Sequence, residues 1–106
     1  MQVIKTNTEW TMVFKCTGDG FKNRHKPCGY NLIIEKKDIV RMEYTENNEI
    51  KIMYGFICVN CHCFTKIDSK LVPDDAVFNC PTVASKNTTI YSQLSVEEKV
   101  LSNKLW

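Results

Sequence analysis

The residues of this chain that could do chemistry are its six cysteines, four of which fall into two pairs. Cys58 and Cys61 are separated by two residues, a spacing that lets one tight turn present both thiols to a single tetrahedral ion. Cys16 and Cys28 are separated by eleven residues, so their loop must bulge outward if its ends are to converge. Thiolate is a preferred ligand of zinc, and four thiolates leave no open position for water. The two pairs therefore predict one structural zinc site.

Other residues could replace a member of this set, and other chemistry could use it. The candidates for replacement are Cys63, His25, His62 and Cys80. Buried cysteine is commonly a plain apolar residue, and histidine in a turn is commonly an ordinary loop residue. Iron binds the same four thiolates. A redox dithiol at Cys58 and Cys61 would need a helix start nearby to lower a thiol pKa, and no helix is predicted there. No nucleophile signature surrounds any cysteine, so we expect a protein without enzyme activity.

Three short segments resemble the zinc-ribbon family, in which two cysteine-bearing turns support a small antiparallel sheet. They are Phe14-Lys15-Cys16, Cys28-Gly29-Tyr30 and Phe56-Ile57-Cys58-Val59-Asn60-Cys61. The chain departs from the family pattern in two places, since a long loop splits the first pair and His62 stands where glycine is common. It is similar to small zinc-ribbon proteins of phage and bacterial genomes that carry no assigned activity. The resemblance implies one Zn²⁺ ion that holds the sheet together.

Size and composition explain why a metal cross-link would help this chain. Its 106 residues predict one domain over residues 1–106, and a chain this short buries only about 65% of the surface that its unfolded form exposes. An apolar share of 43% argues against disorder. The longest near-apolar run, residues 52–59, is too short to span a membrane, and residues 1–10 lack a signal-peptide pattern. We therefore expect a cytoplasmic protein whose thiols are reduced.

The hydrophobic pattern places the cysteine pairs at the ends of predicted strands. Alternation and β-branched or aromatic residues predict strands over residues 10–16, 30–35, 39–44, 50–58 and 64–67. The polar residues Asn47-Asn48 predict a hairpin turn between the third and fourth of them. The expected fold is of the α+β class, with a small antiparallel zinc-ribbon sheet over residues 10–67.

Residues 68–106 are predicted to form a mostly irregular tail that ends in a short helix. Pro73-Asp74-Asp75 is typical of a helix start, but Pro81 would stop that helix after one or two turns. Ser95 and Glu98 form a capping-box pattern, which predicts a helix over about residues 96–104. Its apolar stripe is Val96, Val100, Leu101 and Leu105. So short a helix is not stable alone, and we expect it to cover the protein's own core.

The loop between Cys16 and Cys28 is the part of the chain that favours nucleic acid. It carries Phe21, Lys22, Arg24 and Lys26, which could neutralise phosphates and stack on an unpaired base. The net charge of +2 is too small to indicate such a partner by itself. A small sheet also has edges that can pair with another chain or with a second copy. We therefore expect an interaction module that binds another protein, with nucleic-acid binding and a redox dithiol as the alternatives.

Overall fold

The computed structural model describes residues 10–106, which form two β-sheets and several short helices. The strands are β1 (Thr11–Lys15), β2 (Asn31–Glu35), β3 (Ile39–Glu46), β4 (Glu49–Ile57), β5 (Phe64–Ile67) and β6 (Thr82–Ala84). The helices are α1 (Asp74–Asn79), α2 (Thr89–Gln93) and α3 (Val96–Leu105), and 3-10 turns cover Lys36–Asp38 and Ser69–Leu71. The α+β class predicted from the sequence is confirmed. Residues 1–9, which bear on the expected lack of a signal peptide, lie outside the described residues.

β1 and β2 form an antiparallel ribbon that is separate from the larger sheet. Alternate residues point to opposite faces of a strand, so the register sets Phe14 opposite Leu32 on the face that packs inward. Val13 and Ile33 face each other on the opposite side and are exposed. The predicted first strand is confirmed, and it delivers Cys16 to the end of the ribbon.

The larger sheet has the strand order β5-β4-β3-β6, and its centre is the β3–β4 hairpin. The predicted turn is confirmed: Asn47 and Asn48 have φ values of 53° and 65°, in the left-handed region that asparagine tolerates and two-residue hairpin turns require. Gly55 allows β4 and β5 to lie close together, because a Cβ atom there would collide with the carbonyl oxygen of Thr65. The β4–β5 pairing brings Cys58 to the end of β4 and Cys63 to the start of β5.

The tail is more regular than the sequence pattern predicts. β6 adds to β3 in parallel, so the larger sheet is mixed rather than wholly antiparallel. The backbone N–H of Arg41 donates to the carbonyl of Pro81, and that of Ala84 donates to the hydroxyl of Ser102. A strand as short as Thr82–Ala84 has no periodicity to detect, and tertiary hydrogen bonds determine its conformation.

The C-terminal helix α3 is confirmed, together with its capping box. Glu98 and Ser95 exchange the two expected hydrogen bonds, and Glu98 also accepts from the backbone N–H of Thr82. Glu98 therefore ties the start of α3 to β6. Leu105 is buried in the core as predicted, whereas Val96 is 79% exposed, so the apolar stripe is narrower than the sequence indicated. In the described part of the chain, no helix is long and apolar enough to cross a membrane.

Candidate metal centre

The four predicted cysteine ligands come together at one end of the two sheets. The sulfur atoms of Cys16, Cys28, Cys58 and Cys61 all lie within 4.8 Å of one another. The shortest contacts join one turn to the other, at 3.4 Å between Cys16 and Cys61 and 3.7 Å between Cys28 and Cys58. Cys16 and Cys58 are buried, and the other two are half-buried. A closed group of four thiols at these distances has the donor set and spacing of a tetrahedral metal site.

The two turns position their cysteines with matching backbone hydrogen bonds. In the first turn, the N–H of Gly29 donates to Cys16 O at 3.1 Å, and the N–H of Cys16 donates to Tyr30 O at 2.8 Å. In the second turn, the N–H of His62 donates to Cys58 O, and the N–H of Cys58 donates to Cys63 O, both at 2.9 Å. The residues at the two ends of the long loop therefore form the same backbone hydrogen bonds as the residues at the ends of the short turn. This equivalence explains how a pair split by eleven residues can act like the close-spaced pair.

The residue after the second cysteine of each turn has a left-handed backbone. Gly29 has a φ of 76° and His62 has a φ of 64°. Glycine adopts this region freely, whereas a residue with a side chain pays a conformational penalty there. His62 therefore departs from the zinc-ribbon pattern only in residue type, because its backbone has the same left-handed conformation as that of Gly29.

Removing glycine at position 29 and introducing glycine at position 62 are expected to change the stability of the protein in opposite directions. Gly29→Ala should destabilise the protein by about 1 kcal/mol, because alanine disfavours a positive φ. A Cβ atom at position 29 would meet nothing within 4 Å, so steric overlap adds no cost. His62→Gly should stabilise the protein by about 0.5 kcal/mol, since the relief of the backbone penalty exceeds the added entropy of the unfolded chain. Chemical denaturation of both variants measures the changes, and a loss of stability in both would contradict the backbone explanation.

Burial and hydrogen bonding shift the pKa values of neighbouring thiols in opposite directions. Burial raises the pKa of the Cys16 thiol to about 12, and its neighbouring thiols shift it in the same direction. Burial also acts to raise the pKa of Cys61, but hydrogen bonds from the backbone N–H of Cys63 and from the Cys16 thiol outweigh it. The result is a pKa of about 6 for Cys61. These opposite shifts act on two sulfur atoms that lie 3.4 Å apart. A metal ion replaces such thiol protons, so metal binding releases protons and weakens as the pH falls.

The alternative ligands lie outside this group of four in the part of the chain that the structure describes. Cys63 is buried beside the cluster, and its thiol donates to the carbonyl of His25 at 3.2 Å. His25 and His62 pack edge to face, with ring centroids 6.3 Å apart. Cys80 lies against the other end of the core, where its thiol points to the carbonyl of Val77. Cys63 thus borders the group of four without belonging to it.

The loop of residues 17–27 is held against the protein. Asn23 fixes it to the start of β5, because its side chain accepts from the N–H of Phe64 at 2.7 Å and donates to the carbonyl of the same residue at 2.9 Å. The N–H of Lys66 donates to Asp19 O, so the loop also covers the outer edge of β5. Sequence reasoning missed the role of Asn23, since asparagine in a loop is too common to signal a particular contact.

The residues proposed to contact nucleic acid differ in their availability. The Phe21 ring is half-buried and packs edge to face against Phe64 and Trp106. The Arg24 guanidinium donates to the carbonyl oxygen of Trp106 at 3.1 Å. Lys22 and Lys26 are exposed. The loop thus presents two exposed lysines, while its aromatic ring belongs to the core that α3 covers.

We compared the chain with models of known protein families, with curated proteins and with solved structures, and no match was found. The identification of the centre therefore rests on the geometry of its four thiols.

Proposed function

We propose that Cys16, Cys28, Cys58 and Cys61 bind one zinc ion and that the protein is a zinc-ribbon-like module stabilised by this ion. The observation that carries the proposal is the closure of four sulfur atoms within 4.8 Å of one another. A site with four protein ligands has no open position for substrate or water, which makes it structural. Because two ligands flank the ribbon strands and two lie between β4 and β5, the ion would cross-link the ribbon to the larger sheet. Reduced thiols are required, which fits the cytoplasmic location expected from the sequence.

We further propose that the module is not an enzyme and that its partner is a protein. Cys61 is followed by β5 and not by a helix, so hydrogen bonds within the cluster lower its pKa, and the helix dipole typical of a redox dithiol is not part of this turn. Nucleic-acid binding through the loop would use a stacking aromatic, and Phe21 already packs against two rings. Val13 and Ile33 expose an apolar pair on the outer face of the ribbon, which supports a protein partner.

The test is elemental analysis of protein that has been purified without added metal. We expect about one zinc per chain, and we expect Cys58→Ser to lose most of it. Cys80→Ser is the matched control, because Cys80 lies outside the cluster and its loss should leave the zinc content unchanged. One equivalent of iron would support the four-thiolate site but identify its metal as iron. Less than half an equivalent of either metal in folded protein would reject the site, and a high ultraviolet absorbance ratio from bound nucleic acid would reject the choice of partner.

A further inference from the structure

Among the residues that the structure describes, one edge of β4 has no partner strand beyond the end of β5. β3 pairs with β4 along almost its whole length, but β5 pairs only with Tyr54–Ile57. Within residues 10–106, no strand pairs with the other edge of residues 49–53. Ile50 and Ile52 lie on one face of this stretch and are 61% and 46% exposed. An unpaired strand with exposed apolar side chains is a template for another strand.

The charges beside this edge suit a second copy of the same strand. Glu49 and Lys51 flank Ile50 and share the opposite face, where their side chains form an ion pair at 3.2 Å. In an antiparallel pair, two opposite residues direct their backbone polar groups either both toward the shared edge or both away from it, and the direction alternates from one residue to the next along each strand. Two identical strands related by a two-fold axis must therefore set one residue opposite itself.

Because one residue must lie opposite itself, only a few registers are possible, and one of them sets unlike charges of the two copies opposite each other. Centring the pair on Glu49 or on Lys51 sets two like charges opposite each other, which is unfavourable. Centring it on Ile50 sets each Glu49 opposite Lys51 of the second copy and brings the two Ile50 side chains together. Ile52 then lies diagonal to Ile50 of the other copy, within reach of an apolar contact.

The same register brings the hairpin turn of one copy to a notch on the other. The open notch of about 470 Å³ lies at the end of the free edge, beside Ile52 and Met53. Its remaining lining includes the polar residues Asp19, Lys66, Asp68 and Ser69. With Ile50 at the centre, the turn residues Asn47 and Asn48 of the second copy lie near Ile52 and Met53. The amide groups of the turn would thus meet polar partners at the notch.

We propose that two copies of this chain associate through antiparallel pairing of residues 49–51 of β4, centred on Ile50. The proposal is independent of the metal centre, because the paired edge is formed by β4 alone. The ladder is short, so its buried area falls at the low end for specific interfaces. The dimer is therefore weak and depends on protein concentration.

Sedimentation equilibrium of charge variants of the zinc-loaded protein tests the register. In Lys51→Glu, Glu49 of each copy lies opposite the new glutamate of the other copy. These two like-charge pairs should raise the dissociation constant of the dimer by about tenfold. The double variant Glu49→Lys with Lys51→Glu restores unlike pairs and should return the dissociation constant to within about twofold of the wild type. Lys86→Glu is the matched control, since it changes the net charge equally at an exposed position after β6, on the opposite edge of the sheet.

Two results would overturn the proposal. One is a wild-type protein that stays monomeric at every concentration, which would leave the edge to a partner of different chemistry. Slow exchange, in that monomer, of those amides of residues 49–53 that do not point to β3 would assign the edge to a segment of the same chain. The other is equal dimerisation of the wild type and Lys51→Glu, which would place the interface elsewhere.

Discussion

Removal of the proposed metal ion is expected to unfold the protein or to lower its free energy of unfolding by several kcal/mol. A structural zinc site contributes about 10–16 kcal/mol of apparent binding free energy, whereas a typical domain is stable by about 5–15 kcal/mol in total. The site also holds both ends of the loop of residues 17–27, which covers β5. Circular dichroism and thermal denaturation with a strong chelator measure the effect. Cys58→Ser should reproduce it without chelator.

The control for the metal prediction is again the thiol outside the cluster. Cys80→Ser removes a half-buried thiol at the other end of the core, and we expect a change of about 1 kcal/mol or less. An unfolding midpoint that stays within a few degrees after complete removal of the metal would contradict a stabilising role.

The second large effect is expected from Phe56→Ala, which should destabilise the protein by about 3–5 kcal/mol. Phe56 is fully buried and belongs to the cluster that joins the ribbon to the larger sheet. Its ring lies 5.9 Å from that of Phe14 on β1. Truncation would leave a cavity at this junction and remove the ring contact between Phe14 and Phe56. Denaturant unfolding at constant metal content measures the loss.

Phe78→Ala is the matched control for this prediction, because it deletes the same atoms from a surface position. Phe78 is 85% exposed on α1. We expect its substitution to change stability by no more than about 0.5 kcal/mol. Similar losses in the two variants would mean that Phe56 is not the junction that the packing indicates.

The elements that the sequence predicted well are those with local causes. Alternation predicted β1, and the Asn47-Asn48 turn and the Ser95–Glu98 capping box each depend on residues that lie within a few positions of one another. The grouping of the four cysteines was also predicted, because the type of residue and its place at strand ends leave few arrangements.

The elements that the sequence did not predict depend on distant contacts. β6 forms because Ser102 of α3 and Pro81 complete its hydrogen bonds beside β3. The loop of residues 17–27 was expected to bulge outward, yet Asn23 and Phe21 dock it on β5 and on the end of α3. In both cases the decisive partner is far away in the chain, so no window of neighbouring residues contains the information.

The distance along the chain between the two cysteine turns has a consequence for how the native state is reached. The turn of Cys58 and Cys61 brings two thiols together within a few residues, so it can capture an ion before the rest of the molecule is ordered. Cys16 and Cys61 are 45 positions apart, and closing so long a loop costs entropy before any contact rewards it. An ion held first by the compact turn would collect the distant thiols as the hairpins form. The cation would then act as a template for folding, and its supply during synthesis would limit the yield of native protein.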